Sequence, residues 1–200
     1  MKTKVVYISG AHGVGKDSII LDLARRLEKA GMSIWVFPEM PYPPDIATGT
    51  MDFQVQYKRK MEVREEMIDI LRNKGYFDYI ICNRHPIDVD IYTSRINGMK
   101  VERHPTWIKY DGLEHRILIT CPSTIVKDRL KTRLADETWR ENWNELDMKY
   151  FCDIQAGFKK MSSESWFAPY FVYDYKPYFK EIENIGTIAK AVDQIMEWIY

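Results

Sequence analysis

No apolar run in this chain approaches the ~18 residues needed to span a bilayer. The opening stretch, MKTKVVYISGAHG, reaches its glycines too soon to form the apolar segment of a secretory signal. The sequence also lacks an excess of either charge. Its 29 basic and 29 acidic side chains are interspersed and give a formal net charge of zero. That balance offers no broad polybasic surface for nucleic acid. Cysteine is scarce, odd in number and widely spaced, at Cys82, Cys121 and Cys152, a pattern that fits neither a disulfide framework nor a zinc site. Cys82 and Cys121 sit in or beside apolar runs and read as buried thiols. The histidines, His12, His85, His104 and His115, are too scattered for a metal cluster. Internal repeats, linkers and polar tracts are absent too. The expectation is one soluble, cytoplasmic domain over residues 1–200 with a substantial core, since 46% of its residues are apolar.

What the sequence does contain is a regular alternation of short apolar runs and helical periodicities. VVYIS (5–9), SIWVF (33–37), YIICN (79–83), RILIT (116–120) and YFVYD (170–174) read as strands. Between them Ile19, Ile20, Leu23, Ala24 and Leu27 recur at helical spacing until Gly31. Residues 51–74 read as a long helix, and further helices are expected over 87–95, after Pro122, over 145–161 and from Ile188 to Ile199. This order predicts an α/β fold with a five-stranded parallel sheet flanked by helices. An irregular section spans 97–114 and includes Arg103, His104, Trp107 and Lys109. It is a candidate acceptor-site insertion. Trp35 and Trp198 are assigned to packing.

The most specific motif is SGAHGVGKDS, residues 9–18. It lies between a strand and a helix, the context in which successive backbone amides and a helix N-terminus surround phosphate oxygens. Gly10, Ala11, His12, Gly13, Val14, Gly15, Lys16, Asp17 and Ser18 are therefore candidate nucleotide-binding residues, with Lys16 placed for the β- and γ-phosphates. Asp17 stands where the usual motif has serine or threonine. A carboxylate beside a triphosphate needs a cation or a hydrogen bond, so Asp17 either approaches hydrated magnesium or turns to the neighbouring backbone. Asp17 and Ser18 are the candidate Mg2+ residues, directly or through water. Glu39 follows the second strand at the sheet's carboxyl edge, where it could orient or deprotonate an acceptor hydroxyl. Arg84 leaves the next strand. Arg133 and Arg140 lie in a segment, about 131–145, that could cover the phosphates, and Arg129 could add to them.

In this order the motifs resemble the thymidylate kinase and deoxynucleoside kinase group of phosphate-loop proteins. FPE at 37–39 falls where deoxynucleoside kinases have a glutamate, and DFQVQY at 52–57 is similar to their acceptor-pocket segment. NRHP, CPSTIVKDRLKTR and the arginines that follow extend the likeness over residues 4–199. The resemblance implies a P-loop kinase fold, ATP and Mg2+, catalytic roles for Lys16, Glu39, Arg84, Arg133 and Arg140, and a base-reading role for Gln54 beside Phe53 and Tyr57. It leaves a homodimer open. Two positions depart from the pattern: Asp17, and Asn83 where relatives often carry an acid before the arginine. Phosphorylation of a nucleoside or deoxynucleoside is the leading expectation. A deoxynucleoside monophosphate kinase is the close alternative, and a nucleotide-dependent switch or weak ATPase the more distant one.

Overall fold

The computed structural model describes residues 2–40, 51–86, 88–92, 113–136, 146–162 and 179–200. Five strands, β1 (Lys4–Ser9), β2 (Ile34–Phe37), β3 (Tyr79–Asn83), β4 (Glu114–Thr120) and β5 (Phe179–Glu183), form one sheet in the order β2-β3-β1-β4-β5. Every pairing is parallel. The helices are α1 (Lys16–Lys29), α2 (Met51–Lys74), α3 (Ser123–Asp136), α4 (Met148–Ser162) and α5 (Ile188–Ile199). Residues 88–92 are helical as well.

β1 is central, and its apolar run suits a strand covered on both faces. Val6 and Ile8 join Leu23 and Leu27 of α1 and Val192 and Ile195 of α5 in one cluster. Val5 and Tyr7 point the other way, into a cluster with Ile80, Cys82 and Ile68 of α2. Alternate side chains of one strand thus hold helices on opposite faces.

The fifth strand departs from expectation. The sheet is completed by FKEIE at 179–183, whereas YFVYD at 170–174 lies outside the described residues. β5 is an edge strand with Ile182 buried and Glu181 and Glu183 exposed, so it lacks the continuous apolar signature of its neighbours. β4 begins at Glu114, two residues before RILIT. Most of the section 97–114 and the covering segment beyond residue 136, with Arg140, lie outside the described residues. Cys82 and Cys121 are buried and Cys152 is exposed, all as free thiols. Trp35 and Trp198 remain partly exposed, Trp35 against Phe77 and Trp198 beneath Lys180. Among the described residues no helix is long and apolar enough to cross a membrane.

Candidate active site

The parallel register sets Ile8 beside Asn83 and Phe37 beside Cys82. The segments following β1, β2 and β3 therefore leave the same carboxyl edge, where open α/β sheets bind ligands. They bring together a cleft of about 290 Å³ lined by His12, Gly13, Gly15, Lys16, Asp17, Ser18, Glu39, Arg84, Arg129, Leu130 and Arg133. Of the expected residues, Ala11 and Val14 are buried behind this surface.

The loop has the backbone that its glycines allow. Gly15 sits at φ 97 as the N-cap of α1 and has no side chain with which to cap that helix. The first-turn N–H groups are thus open to an anion. A Cβ on Gly15 would stand 2.7 Å from Asn184 Nδ2, and one on Gly10, at φ 144, would run into the Ile119 carbonyl. Asn184 Nδ2 donates to the Val14 carbonyl at 2.7 Å, and the Arg129 guanidinium does so at 3.3 Å. Arg129 also donates to the Asn184 carbonyl at 3.4 Å, so much of its hydrogen bonding supports the back of the loop. His12 stacks on Tyr150 and meets Phe151 edge-on.

Lys16 is almost completely buried, and its ammonium donates to the carbonyls of Gly10 at 3.1 Å and Ala11 at 2.8 Å. Burial pushes it down to about 8, aided by Arg84 and opposed by Glu39, Asp17 and Asp88. An anion at the loop would restore charge compensation to this ammonium. The glycine geometry, the uncapped helix and the buried lysine together fit a nucleotide's phosphates.

Arg84 leaves β3 with φ 68, the one positive value at a non-glycine residue among those described. A left-handed backbone costs such a residue about 1–2 kcal/mol. Its Nε donates to Glu39 Oε1 at 2.6 Å, and NH1 reaches the Gly10 carbonyl at 3.4 Å and the Tyr92 hydroxyl at 3.2 Å. One side chain thus ties Glu39 to the phosphate loop.

Asp17 does not turn to its own backbone. Its Oδ1 accepts from Asn83 Nδ2 at 2.6 Å. The amide's NH2 is the group that can donate to that carboxylate, which orients Asn83 and leaves its buried Oδ1 without a hydrogen-bond partner among the described residues. Asp17 and Asn83, the two positions that stood out as unusual in the sequence, therefore meet: the carboxylate is on α1 and the neutral partner on β3. Ser18 is exposed beside Asp17. No group of three or more His, Cys, Asp or Glu side chains is poised to hold a metal among the described residues. Magnesium is commonly held by one or two carboxylates together with substrate phosphates and water. Asp17 with Ser18 fits that manner of binding.

Behind Glu39, Phe53 and Tyr57 stack at 5.7 Å with 9° between their planes and pack with Met61, Val89 and Met40. Gln54 is buried on the same helix. Burial raises the Tyr57 hydroxyl well above its ordinary value, with Arg84 opposing and Glu39 adding to the shift. Lys58 pairs with Asp90 at 3.4 Å.

Three groups escape a reading of the sequence. Asp88, fully buried, accepts from Ser9 Oγ at 2.9 Å; burial raises its carboxyl to about 6, against Arg84 and Lys16. Asn184 backs the loop from the end of β5. Arg64 is buried on α2 and holds the backbone after β3. Of the three, only Arg64 leaves a clear trace in the pattern, as a cation on the stripe Tyr57, Met61, Arg64, Ile68.

No protein-family model matches the chain, and no curated protein does. Solved structures do. The chain is similar to deoxyadenosine kinase from M. mycoides with bound dATP, at 16% identity and a TM-score of 0.57 over 97% of both chains. The same enzyme with the products dCMP and a flexible dCDP bound gives 16% and 0.57, over 96% of this chain and 97% of that one. A gluconokinase from Sinorhizobium meliloti 1021 is similar at 10% identity and a TM-score of 0.52, over 99% of this chain and 92% of the other. At these identities the shared property is the fold, that of the P-loop kinases.

Proposed function

We propose that the protein is an ATP-dependent kinase that phosphorylates a hydroxyl of a nucleoside or deoxynucleoside. The observation carrying this reading is the Arg84–Glu39 pair at 2.6 Å, which sets a carboxylate at the mouth of a phosphate loop and in front of a buried aromatic stack.

Lys16 and the amides at the start of α1 bind the ATP phosphates, with Lys16 exchanging loop carbonyls for phosphoryl oxygens. Magnesium would be held by Asp17 and Ser18, and when bound it screens the carboxylate from the triphosphate and neutralises charge on it. Asn83 orients Asp17 for that task. Phe53 and Tyr57 pack against the acceptor base and Gln54 reads its edge. Glu39 accepts the proton of the attacking hydroxyl and aligns its oxygen with the γ-phosphate, while Arg84 and Arg133 offset the developing charge. Arg140 belongs to the same set by its position in the sequence. A nucleoside acceptor is favoured over a monophosphate because Arg84 already serves Glu39. An acceptor phosphate would have to compete for that guanidinium.

The test is ADP formation with ATP and magnesium across a panel of nucleosides and their monophosphates, with products identified by mass. Stimulation by an unphosphorylated nucleoside, lost in Glu39→Gln while ATP binding persists, is the expected result. Stimulation by monophosphates alone would replace this reading with a nucleotide kinase. Tight ATP binding with no acceptor-dependent turnover would replace it with a nucleotide-dependent switch.

A further inference from the structure

Arg64 is 1% exposed on the inner face of α2, between Met61 and Ile68. A guanidinium in such a place must be paired or hydrogen-bonded to be tolerated. Its NH1 donates to the Asn83 carbonyl and its NH2 to the Arg84 carbonyl, each at 2.8 Å. Nε and NH2 also reach Glu65 Oε1 at 3.3 and 3.0 Å. Glu65 in turn accepts from the Tyr7 hydroxyl of β1 at 2.6 Å. A planar fork can hold two successive carbonyls and a carboxylate at once, a geometry that an ammonium does not reproduce.

The second of those carbonyls belongs to the residue with φ 68. The amide of Arg84 is fixed as well, donating to the Ile8 carbonyl at 2.9 Å. The residue is therefore tied to β1 through its N–H and to α2 through its C=O. A backbone in a sparsely populated conformation persists where its surroundings over-determine it. Relaxed to an extended conformation, Arg84 would aim its side chain elsewhere, and its bonds to Glu39 and the Gly10 carbonyl would be lost.

We propose that Arg64 is a positioning residue for phosphotransfer: its buried fork holds the Asn83 and Arg84 carbonyls so that Arg84 keeps its left-handed backbone and its aim at Glu39 and the phosphate loop. The catalytic part of this role rests on the kinase reading above, whereas the geometric part does not. Arg64 touches neither nucleotide nor acceptor and acts through Arg84. The same helix carries Phe53, Gln54 and Tyr57, so one rigid element sets both the acceptor pocket and the catalytic arginine.

The experiment follows the Arg84 Nε–H by 15N NMR, assigned through its loss in Arg84→Lys, and measures kcat and KM in parallel. In the native chain this proton, donated to Glu39, is expected to exchange slowly with water. In Arg64→Lys, which keeps the charge and loses the fork, exchange should accelerate at least about tenfold. In that variant kcat should fall about 10- to 100-fold while KM for ATP stays within about threefold. Should Arg64→Lys fail to fold, Glu65→Gln decides the matter, because it loosens the fork from its carboxylate and should give a smaller acceleration of the same proton. Unchanged exchange in a folded Arg64→Lys, or in Glu65→Gln where that substitutes for it, overturns the proposal. Accelerated exchange in a chain that transfers no phosphate upholds the positioning geometry and removes the kinase reading instead.

Discussion

Replacing Asp88 with asparagine should make the protein more stable at neutral pH and leave that gain absent in acid. Asp88 is fully buried, and its carboxyl is raised to about 6 by that burial even with Arg84 and Lys16 nearby. In the unfolded chain the same group titrates at ~4. Between those values the folded protein keeps a proton that the unfolded chain has released, so stability falls as pH rises from about 4 to about 6 and is level above. That displacement corresponds to about 3 kcal/mol at neutral pH, an upper figure for the cost of ionising Asp88 inside the fold. The amide introduced by Asp88→Asn would keep an acceptor for Ser9 Oγ and carry no charge. Urea unfolding of both proteins, followed by circular dichroism from pH 4 to 7, gives the difference in stability at each pH. It should climb across the window toward about 3 kcal/mol, above a constant offset from any change in packing. Lys16 lies at about 8 with Asp88 among the groups that raise it, so the part of the window below pH 6, where Lys16 keeps its charge, is the part that reads Asp88 alone. A difference that does not vary with pH would refute the reasoning.

His115 should show the opposite slope. Both of its ring nitrogens lack hydrogen-bond partners among the described residues, and burial together with Lys4 pushes it down to about 4. Its contribution is therefore lost as pH falls from about 6.5 toward 4, and the acid-side loss should shrink in His115→Gln by the same urea measurement. If Asp17 holds the metal as proposed, Asp17→Asn should weaken Mn2+ binding in the presence of ATP by about tenfold or more, read by electron paramagnetic resonance. The exchange Asp17→Asn with Asn83→Asp should recover much of it, whereas Asn83→Asp alone sets two carboxylates against each other. Failure of the double variant to recover would show that the charge is needed on α1 itself. Gly15→Ala, strained at φ 97 and 2.7 Å from Asn184 Nδ2, should cost about 1–3 kcal/mol of stability. It should also abolish the thermal shift produced by ATP with magnesium, and a native-like shift would contradict the loop geometry.

The parts of this molecule legible in its sequence are those written as periodicity or as a local motif. β1, α2 and β3 are found where their patterns put them, because buried parallel strands are continuous apolar runs and α2 keeps its helical spacing over 24 residues. The glycine-rich loop between β1 and α1 is legible for a similar reason, since the glycines that take positive φ and the buried lysine are close together in sequence. β5 lies away from its expected place because an edge strand buries one face and can be charged on the other. Asp88 and Asn184 are illegible for another reason. Each acquires its importance from a partner far away in the chain, Ser9 and Val14 respectively, and no local pattern records a contact of that kind. The Asp17–Asn83 bond is intermediate: both residues stand out as unusual, but only the alignment of β1 with β3 brings them together.

The bond from Asn184 to the Val14 carbonyl joins residues 170 positions apart. A ribosome adding about 5–20 residues per second needs on the order of 10–30 s to make that interval of chain. For nearly all of that time the β1 segment has been made without β5, and the loop after it lacks Asn184 behind Val14. A ligand that needs the completed loop therefore cannot assist the early steps of folding during synthesis. It would stabilise only a chain whose distant parts have already met.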